Sequence, residues 1–138
     1  MQIIALKPAK SMKKSLTPLG ETEMEVLNHV WDMGEATVKQ VRKRILENRE
    51  VAYTTIMTVM KNLAEKGYLK YRKDGVTYVY SPAQEPDSVR FNLVKQLVSK
   101  VFKGSPKELV QTLVSSEDLN EKDLEEIKKM IDNMEDEQ

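Results

Sequence analysis

Hydrogen-bonding side chains crowd one side of the stretch Val51–Gly67, which reads VAYTTIMTVMKNLAEKG. At about 3.6 residues per turn, this stretch predicts a helix with one apolar face. The apolar positions are Ile56, Val59, Met60 and Leu63. The other side carries Tyr53, Thr54, Thr55, Thr58, Lys61 and Asn62, together with Met57. Short hydroxyl and amide side chains suit the close approach that a DNA groove demands. A surface helix whose threonines are only solvated is the alternative, so the neighbouring elements must decide.

Two further helices are predicted ahead of this stretch. The first runs from about Glu21 to Met33, with Gly20 as N-cap, Glu23 three residues later and Gly34 at its end. Its buried stripe is predicted to be Met24, Leu27, Val30 and Trp31.

The second helix is basic. Thr37 and Gln40 have the spacing of a capping box, and Ala36–Val38 is compatible with a short edge strand. Val38, Val41 and Ile45 are predicted to face inward. The other sides carry Lys39, Arg42, Lys43 and Arg44. A helix that lies against a phosphate backbone needs such cations, although a solvated charged face explains them almost as well.

A β-hairpin is predicted after the hydroxyl-rich helix, from two alternating runs on either side of Asp74-Gly75. Asp-Gly favours a type I′ turn, so Lys73 is predicted to pair with Val76. This pairing places Leu69, Tyr71, Tyr78 and Tyr80 on one face, and Lys70, Arg72, Thr77 and Val79 on the other. Three helices followed by a hairpin predict a winged helix-turn-helix, in which the third helix enters a groove and the hairpin contacts a neighbouring phosphate or minor groove.

The part after Ser81-Pro82 is predicted to be wholly helical, with helices over about Asp87–Phe102 and Pro106–Val114 and a last helix capped by Asn120. These helices carry more apolar surface than they can hide alone, and the last one has the spacing of a coiled-coil seam. We expect a homodimer formed through Leu93, Leu97, Val101, Leu124, Ile127, Ile131 and Met134. The alternative is that the helices fold on themselves or back on the winged domain.

The charge distribution divides the chain. Residues 1–82 carry 14 Lys and Arg against 9 Asp and Glu, whereas residues 83–138 carry 8 against 13. This split indicates a basic part that meets an anionic partner, with chance unevenness as the alternative.

The composition also excludes several classes of site. There is no cysteine and only one histidine, His29, so thiolate and histidine metal sites are not expected. The sequence contains no glycine-rich phosphate loop, nucleophile elbow or metal-ligand spacing, so we expect no catalytic residue, no cofactor, no metal and no enzyme. No apolar run approaches the ~20 residues of a membrane helix, so we expect a cytoplasmic protein without a membrane partner.

Several short strings of the chain match a known family: Glu23–Leu27 with Val30-Trp31, Ala52–Thr58, Leu63–Leu69, and Leu119 with Glu125-Glu126-Ile127. From about Leu19 to Asn133 the chain resembles the penicillinase-repressor family, the BlaI/MecI/CopY-type bacterial winged-helix regulators. The resemblance implies a dimeric repressor on a palindromic operator. It also implies that Thr54, Thr55, Thr58, Lys61 and Asn62 face the major groove.

The resemblance leaves the release signal open. In antibiotic-sensing members a membrane protease cuts an Asn-Phe bond, and the matching positions here are Thr112-Leu113. In copper-responsive members a set of cysteines binds metal, and this chain has none. A regulatory protease or a small-molecule effector therefore stays open as a partner, and neither is identified.

Together these observations predict a mainly α chain with a small β-hairpin wing. Residues 1–18 are expected to form a disordered basic leader, 19–82 a winged helix-turn-helix DNA-binding domain, and 83–138 a three-helix dimerisation domain. The predicted partner is a double-stranded DNA operator, contacted by Tyr53, Thr54, Thr55, Thr58, Lys61, Asn62, Lys39, Arg42, Lys70, Arg72 and Lys73. The alternative is a winged-helix adaptor for proteins, which would need an apolar outer face on the third helix; only Met57 fits that requirement.

Overall fold

The computed structural model describes residues 19–136, and the predicted leader at 1–18 lies outside them. Six helices and one hairpin follow in order: α1 (Glu21–Met33), α2 (Val38–Ile45), α3 (Tyr53–Glu65), β1 (Leu69–Asp74), β2 (Thr77–Pro82), α4 (Pro86–Val101), α5 (Pro106–Ser115) and α6 (Glu121–Asp136). Three helices and a wing followed by three further helices confirm the predicted fold class. The chain divides into two compact units between Leu93 and Val94. The first two turns of α4 therefore belong to the unit that contains the wing.

Local capping signals fix the starts of α1 and α2. The backbone N–H of Gly20 donates to Glu23 Oε1 at 3.0 Å. At α2 the bonds are reciprocal: the Thr37 N–H donates to Gln40 Oε1 at 2.9 Å, and the Gln40 N–H donates to Thr37 Oγ1 at 3.2 Å. Both predicted caps are confirmed, and each satisfies backbone donors that the first turn of a helix leaves unpaired.

The end of α3 is set by Gly67. Its φ of +88° lies in the left-handed region, which glycine adopts without strain. The Tyr68 N–H donates to the Leu63 carbonyl at 2.9 Å, and the Gly67 N–H donates to the Ala64 carbonyl at 3.1 Å. These are the two bonds of a Schellman motif. The chain therefore turns sharply from α3 into the wing.

The core of the first unit lies between the three helices and the base of the hairpin. Its largest fully buried side chains are Val26, Leu27, Val30, Val41, Ile45, Ile56, Met60 and Leu63. The stripe predicted for α1 is partly wrong, because Val26 is buried while Met24 and Trp31 are only half-buried at the margin. The reason is that α1 packs against α3 and β2 as well as α2, which rotates its buried arc toward Val26.

The register of the wing differs from the predicted one. Lys73 pairs with Tyr78 and Asp74 with Thr77, so the pairing of Lys73 with Val76 is wrong and the loop is Gly75-Val76. Gly75 has a φ of +67°, and a positive φ at the first loop position alone is the signature of a type II′ turn. Each partner on β2 shifts by two residues, and side chains alternate between the faces with a period of two. Both predicted faces of the hairpin are therefore preserved.

The predicted edge strand at Ala36–Val38 is reduced to one pair. The backbone groups of Ala36 and Tyr80 exchange two hydrogen bonds of 2.8 Å. Pairing stops there because Thr37 caps α2 and Val38 is already helical. This bridge ties the α1–α2 connection to β2.

Side chains cap two helices of the second unit, and the cap by Asn120 was predicted. The Glu108 N–H donates to Ser105 Oγ at 3.3 Å at the start of α5. At α6 the Asp123 N–H donates to Asn120 Oδ1 at 2.8 Å. Within residues 19–136, no helix is both long enough and apolar enough to span a membrane.

Candidate nucleic-acid interface

The outer face of α3 is exposed and polar. The side chains predicted as groove contacts all lie on the surface: Tyr53, Thr54, Thr55, Thr58, Lys61 and Asn62. In the described part of the chain none of them forms a side-chain hydrogen bond, so their hydroxyl, amide and ammonium groups are available to a partner. The opposite face of the same helix is buried through Ile56, Met60 and Leu63. The core therefore fixes which side of α3 is presented.

Arg42 of α2 holds the chain just ahead of α3. Its Nε–H donates to the Val51 carbonyl at 3.0 Å in a partly buried position. Val51 lies immediately before Ala52, the N-cap residue of α3, which has no side-chain cap of its own. Arg42 thus anchors the start of α3 from a partly buried position.

Lys66 holds the other end of α3. Its ammonium lies 2.7 and 3.0 Å from the two carboxylate oxygens of Glu23 on α1, and the pair is largely shielded from solvent. Burial alone would raise the pKa of Glu23, but the hydrogen bonds from Lys66 and from the Gly20 N–H, with the Lys66 charge, outweigh it and lower that pKa. Glu23 is therefore ionised at neutral pH. A contact from α2 holds the start of α3, and a contact from α1 holds its end. Neither contact uses the outer face of α3.

The predicted cations of α2 and the wing are at the surface, but they differ in their partners. Lys39, Lys70, Arg72 and Lys73 are all exposed. Arg72 Nη2 lies 3.2 Å from Glu35 Oε1 in an exposed ion pair. Lys73 Nζ lies 5.5 Å from the centre of the Tyr78 ring. Only Arg72 thus faces a carboxylate.

Two exposed tyrosines of the wing were not among the predicted contacts. The rings of Tyr71 and Tyr78 meet edge to face with centroids 4.9 Å apart, and Tyr71 also lies 5.6 Å from Tyr80. Burial raises the pKa of Tyr80, and the nearby phenols of Tyr71, Tyr78 and Tyr53 raise it further. The sequence signal that was available is that Tyr71 lies among Lys70, Arg72 and Lys73 in β1.

The residues predicted for dimerisation lie in different surroundings. Leu97, Val101, Ile131 and Met134 are exposed, and Leu124 and Ile127 are half-buried. Leu93 packs in part against the core of the first unit. Thr112 and Leu113 both lie exposed within α5. Among residues 19–136 no group of His, Cys, Asp and Glu side chains is placed to hold a metal ion.

The chain is similar in sequence to several known proteins. The chain is 27% identical over 113 residues to the methicillin resistance regulatory protein MecI of Mammaliicoccus sciuri, covering 82% of this chain and 92% of that protein. It is 37% identical over 75 residues, 54% of each chain, to the transcriptional regulator BlaI of Mycobacterium tuberculosis (strain ATCC 25618 / H37Rv).

Solved structures include the monomeric form of Bacillus licheniformis BlaI in complex with the blaP half-operator, which matches with a TM-score of 0.45 and 25% identity over 52% of this chain and 88% of that chain. A sequence model of the penicillinase repressor family matches residues 19–133, nearly the whole described chain. The chain belongs to the penicillinase repressor family.

Proposed function

We propose that this protein is a homodimeric, sequence-specific DNA-binding transcriptional repressor that acts on a palindromic operator. The observation that carries the proposal is the outer face of α3, where exposed hydroxyl and amide groups without internal partners lie on a helix whose position is fixed by the core. Its relatives are named as regulators of resistance and of transcription.

In this proposal the side chains of α3 read base edges in the major groove. Tyr53, Thr54, Thr55, Thr58 and Asn62 supply hydrogen bonds, and Lys61 supplies a charge-assisted one. Each good contact of this kind discriminates against the wrong base by about 1–3 kcal/mol. Lys39, Arg42, Lys70, Arg72 and Lys73 contact phosphates, which fixes the protein on the duplex without reading sequence.

The dimer is supported by apolar surface in the second unit. Leu97, Val101, Ile131 and Met134 are exposed on α4 and α6, and such side chains gain free energy when a second copy covers them. We propose that the set Leu93, Leu97, Val101, Leu124, Ile127, Ile131 and Met134 contributes to this contact. A two-fold dimer presents two copies of α3 and therefore fits an inverted repeat.

The test is selection of bound duplexes from a random pool with the purified full chain. We expect an enriched inverted repeat whose half-site centres lie about 34 Å or a multiple of that apart, as for successive major grooves on one face of the duplex. Light scattering on the same sample should give the mass of a dimer. Recovery of no motif would refute the proposed repressor function.

The same sample distinguishes a winged-helix adaptor for protein partners. DNA binding by phosphate contacts weakens steeply as salt rises, because each contact releases counterions. An adaptor would show no affinity for any duplex, and its protein contacts through Met57 would survive high salt. The outer face of α3 offers that adaptor one large apolar side chain among polar ones.

A further inference from the structure

Exposed tyrosines lie at the start of α3 and on the wing. We call Tyr53, Tyr71 and Tyr78 the tyrosine strip; their exposed fractions are 46%, 57% and 42%. Tyr80 lies beneath it and is buried. Tyr71 lies against both Tyr78 and Tyr80, so the two exposed tyrosines of the wing form one aromatic patch.

The two faces of the wing differ in charge. The register puts Lys73 on the face of Tyr71 and Tyr78, and puts Lys70, Arg72 and Asp74 on the opposite face. On that opposite face the two cations are balanced by Asp74 and by Glu35, which pairs with Arg72 at 3.2 Å. Between Leu69 and Pro82 the tyrosine face carries no acidic residue. The uncompensated positive charge of the wing therefore lies beside the tyrosines.

The tyrosine rings are also held in place before any partner binds. Tyr71 packs against both Tyr78 and Tyr80, with ring centroids 4.9 and 5.6 Å away. Lys73 lies 5.5 Å from the centre of the Tyr78 ring, within the range of a cation–π contact. Side chains that are already ordered lose little conformational entropy when they bind. Phenol hydroxyls at the ends of such rings make directed hydrogen-bond donors.

We propose that Tyr71 and Tyr78 bind the sugar–phosphate backbone of the duplex held by α3, with their hydroxyls donating to phosphate oxygens beside Lys73. This inference rests on the proposed function. Tyrosine is one of the side chains that proteins use for phosphate contacts. The tyrosine face of the wing then adds phosphate contacts to those proposed for Lys70, Arg72 and Lys73.

The contact has a distinctive salt dependence. A phenol is neutral, so its bond to a phosphate displaces no bound counterion, whereas an ammonium does. Loss of the hydroxyls should lower affinity equally at every salt concentration. Loss of the Lys73 charge should instead reduce the slope of log K against log salt by about 0.9.

The experiment compares the wild type with the double variant Tyr71→Phe/Tyr78→Phe on the duplex recovered from the random pool. Phenylalanine keeps the ring contacts and removes only the hydroxyls. We expect affinity to fall about tenfold for each hydroxyl, since a net hydrogen bond to a charged group contributes about 1.4 kcal/mol or more, with an unchanged salt slope. The control is Tyr68→Phe, a buried tyrosine ahead of the wing, which should bind like the wild type.

A scan in which one phosphate at a time is replaced by a methylphosphonate locates the contact. At the partner phosphate this replacement should weaken the wild type but not the double variant, a coupling that a purely structural role of the hydroxyls would not produce. Equal affinity of the double variant and the wild type on the selected duplex would overturn the inference while the repressor stands. So would a loss seen with Tyr71→Ala/Tyr78→Ala but not with phenylalanine, because the rings would then be the binding groups. A wild type that selects no motif would instead refute the proposed function itself.

Discussion

Replacement of Arg42 should affect stability and sequence discrimination together. Its Nε–H is bonded to the Val51 carbonyl at 3.0 Å in a partly buried position, directly ahead of the N-cap of α3. Arg42→Ala removes both the anchor and the charge. Arg42→Lys keeps the charge but lacks the guanidinium N–H that makes the bond. The two variants therefore separate the two contributions of one side chain.

The size of the effect follows from the geometry of the bond. It is partly buried and charge-assisted, so its loss should lower the free energy of unfolding by about 1.5–3 kcal/mol. For a cooperative unit the size of residues 19–93, about 1 kcal/mol corresponds to a fall in Tm of about 4–8 °C. The start of α3 would then be less well ordered. Ordering it on the selected duplex would cost free energy, so affinity should fall more on that duplex than on random DNA.

Thermal unfolding and anisotropy titrations on selected and random duplexes measure these effects. Lys39→Ala is the matched control, because Lys39 is exposed on the same helix and has no backbone bond of this kind. We expect the control to lose affinity equally on both duplexes without a change in Tm. Arg42→Lys should retain affinity for random DNA and lose discrimination. If Arg42→Ala matched the control in Tm and in the ratio of affinities, the anchoring role would be wrong.

Other changes test the remaining features of the interface. Thr58→Ala should lower affinity for the selected duplex by about 1–3 kcal/mol and leave random DNA unaffected; equal losses on both would contradict a reading role. The pKa of Glu23 is lowered, so its charge stabilises the fold at pH values above its ordinary pKa of 4.5. This contribution is lost as pH falls through the folded-state pKa. Glu23→Gln, which also loses the ion pair with Lys66, should therefore flatten the acid limb of a stability curve measured by urea unfolding. Gly67→Ala should destabilise by about 1–2 kcal/mol, because φ is +88° there although a Cβ would meet no atom closer than 3.9 Å; an unchanged urea midpoint would show that the turn relaxes. Glu35→Gln should raise affinity for any duplex by up to about fivefold in anisotropy titrations, since an exposed ion pair contributes up to about 1 kcal/mol.

Features fixed by near neighbours in the chain were predictable from the sequence. The caps of α1 and α2 depend on residues three positions apart, and the end of α3 depends on one glycine. The exposed face of α3 followed from helical periodicity alone. In these cases the physical cause lies within a single turn of helix, so the sequence contains it completely.

The register of the wing was not predictable in the same way. The chain around Asp74-Gly75-Val76 can form either of two tight turns, and the local signal favoured the one that does not occur. In the register that does occur Tyr71 lies opposite Tyr80, and Tyr80 pairs on its other side with Ala36. Ala36 lies far away in sequence, so a tertiary contact decided between two locally acceptable turns.

The chemistry of the predicted cations likewise depends on distant partners. Arg42 and Arg72 both use a guanidinium N–H in an internal bond, but Arg42 donates to a neutral carbonyl and Arg72 to the carboxylate of Glu35. A carbonyl leaves the charge of Arg42 uncompensated, whereas Glu35 offsets the charge of Arg72 before any DNA is bound. Each copy of the chain should therefore release about one counterion fewer than its predicted cations suggest, and the slope of log K against log salt should steepen by about 0.9 in Glu35→Gln. Equal slopes for the wild type and Glu35→Gln would show that Arg72 makes no phosphate contact, and would leave the tyrosine face as the side of the wing that meets DNA.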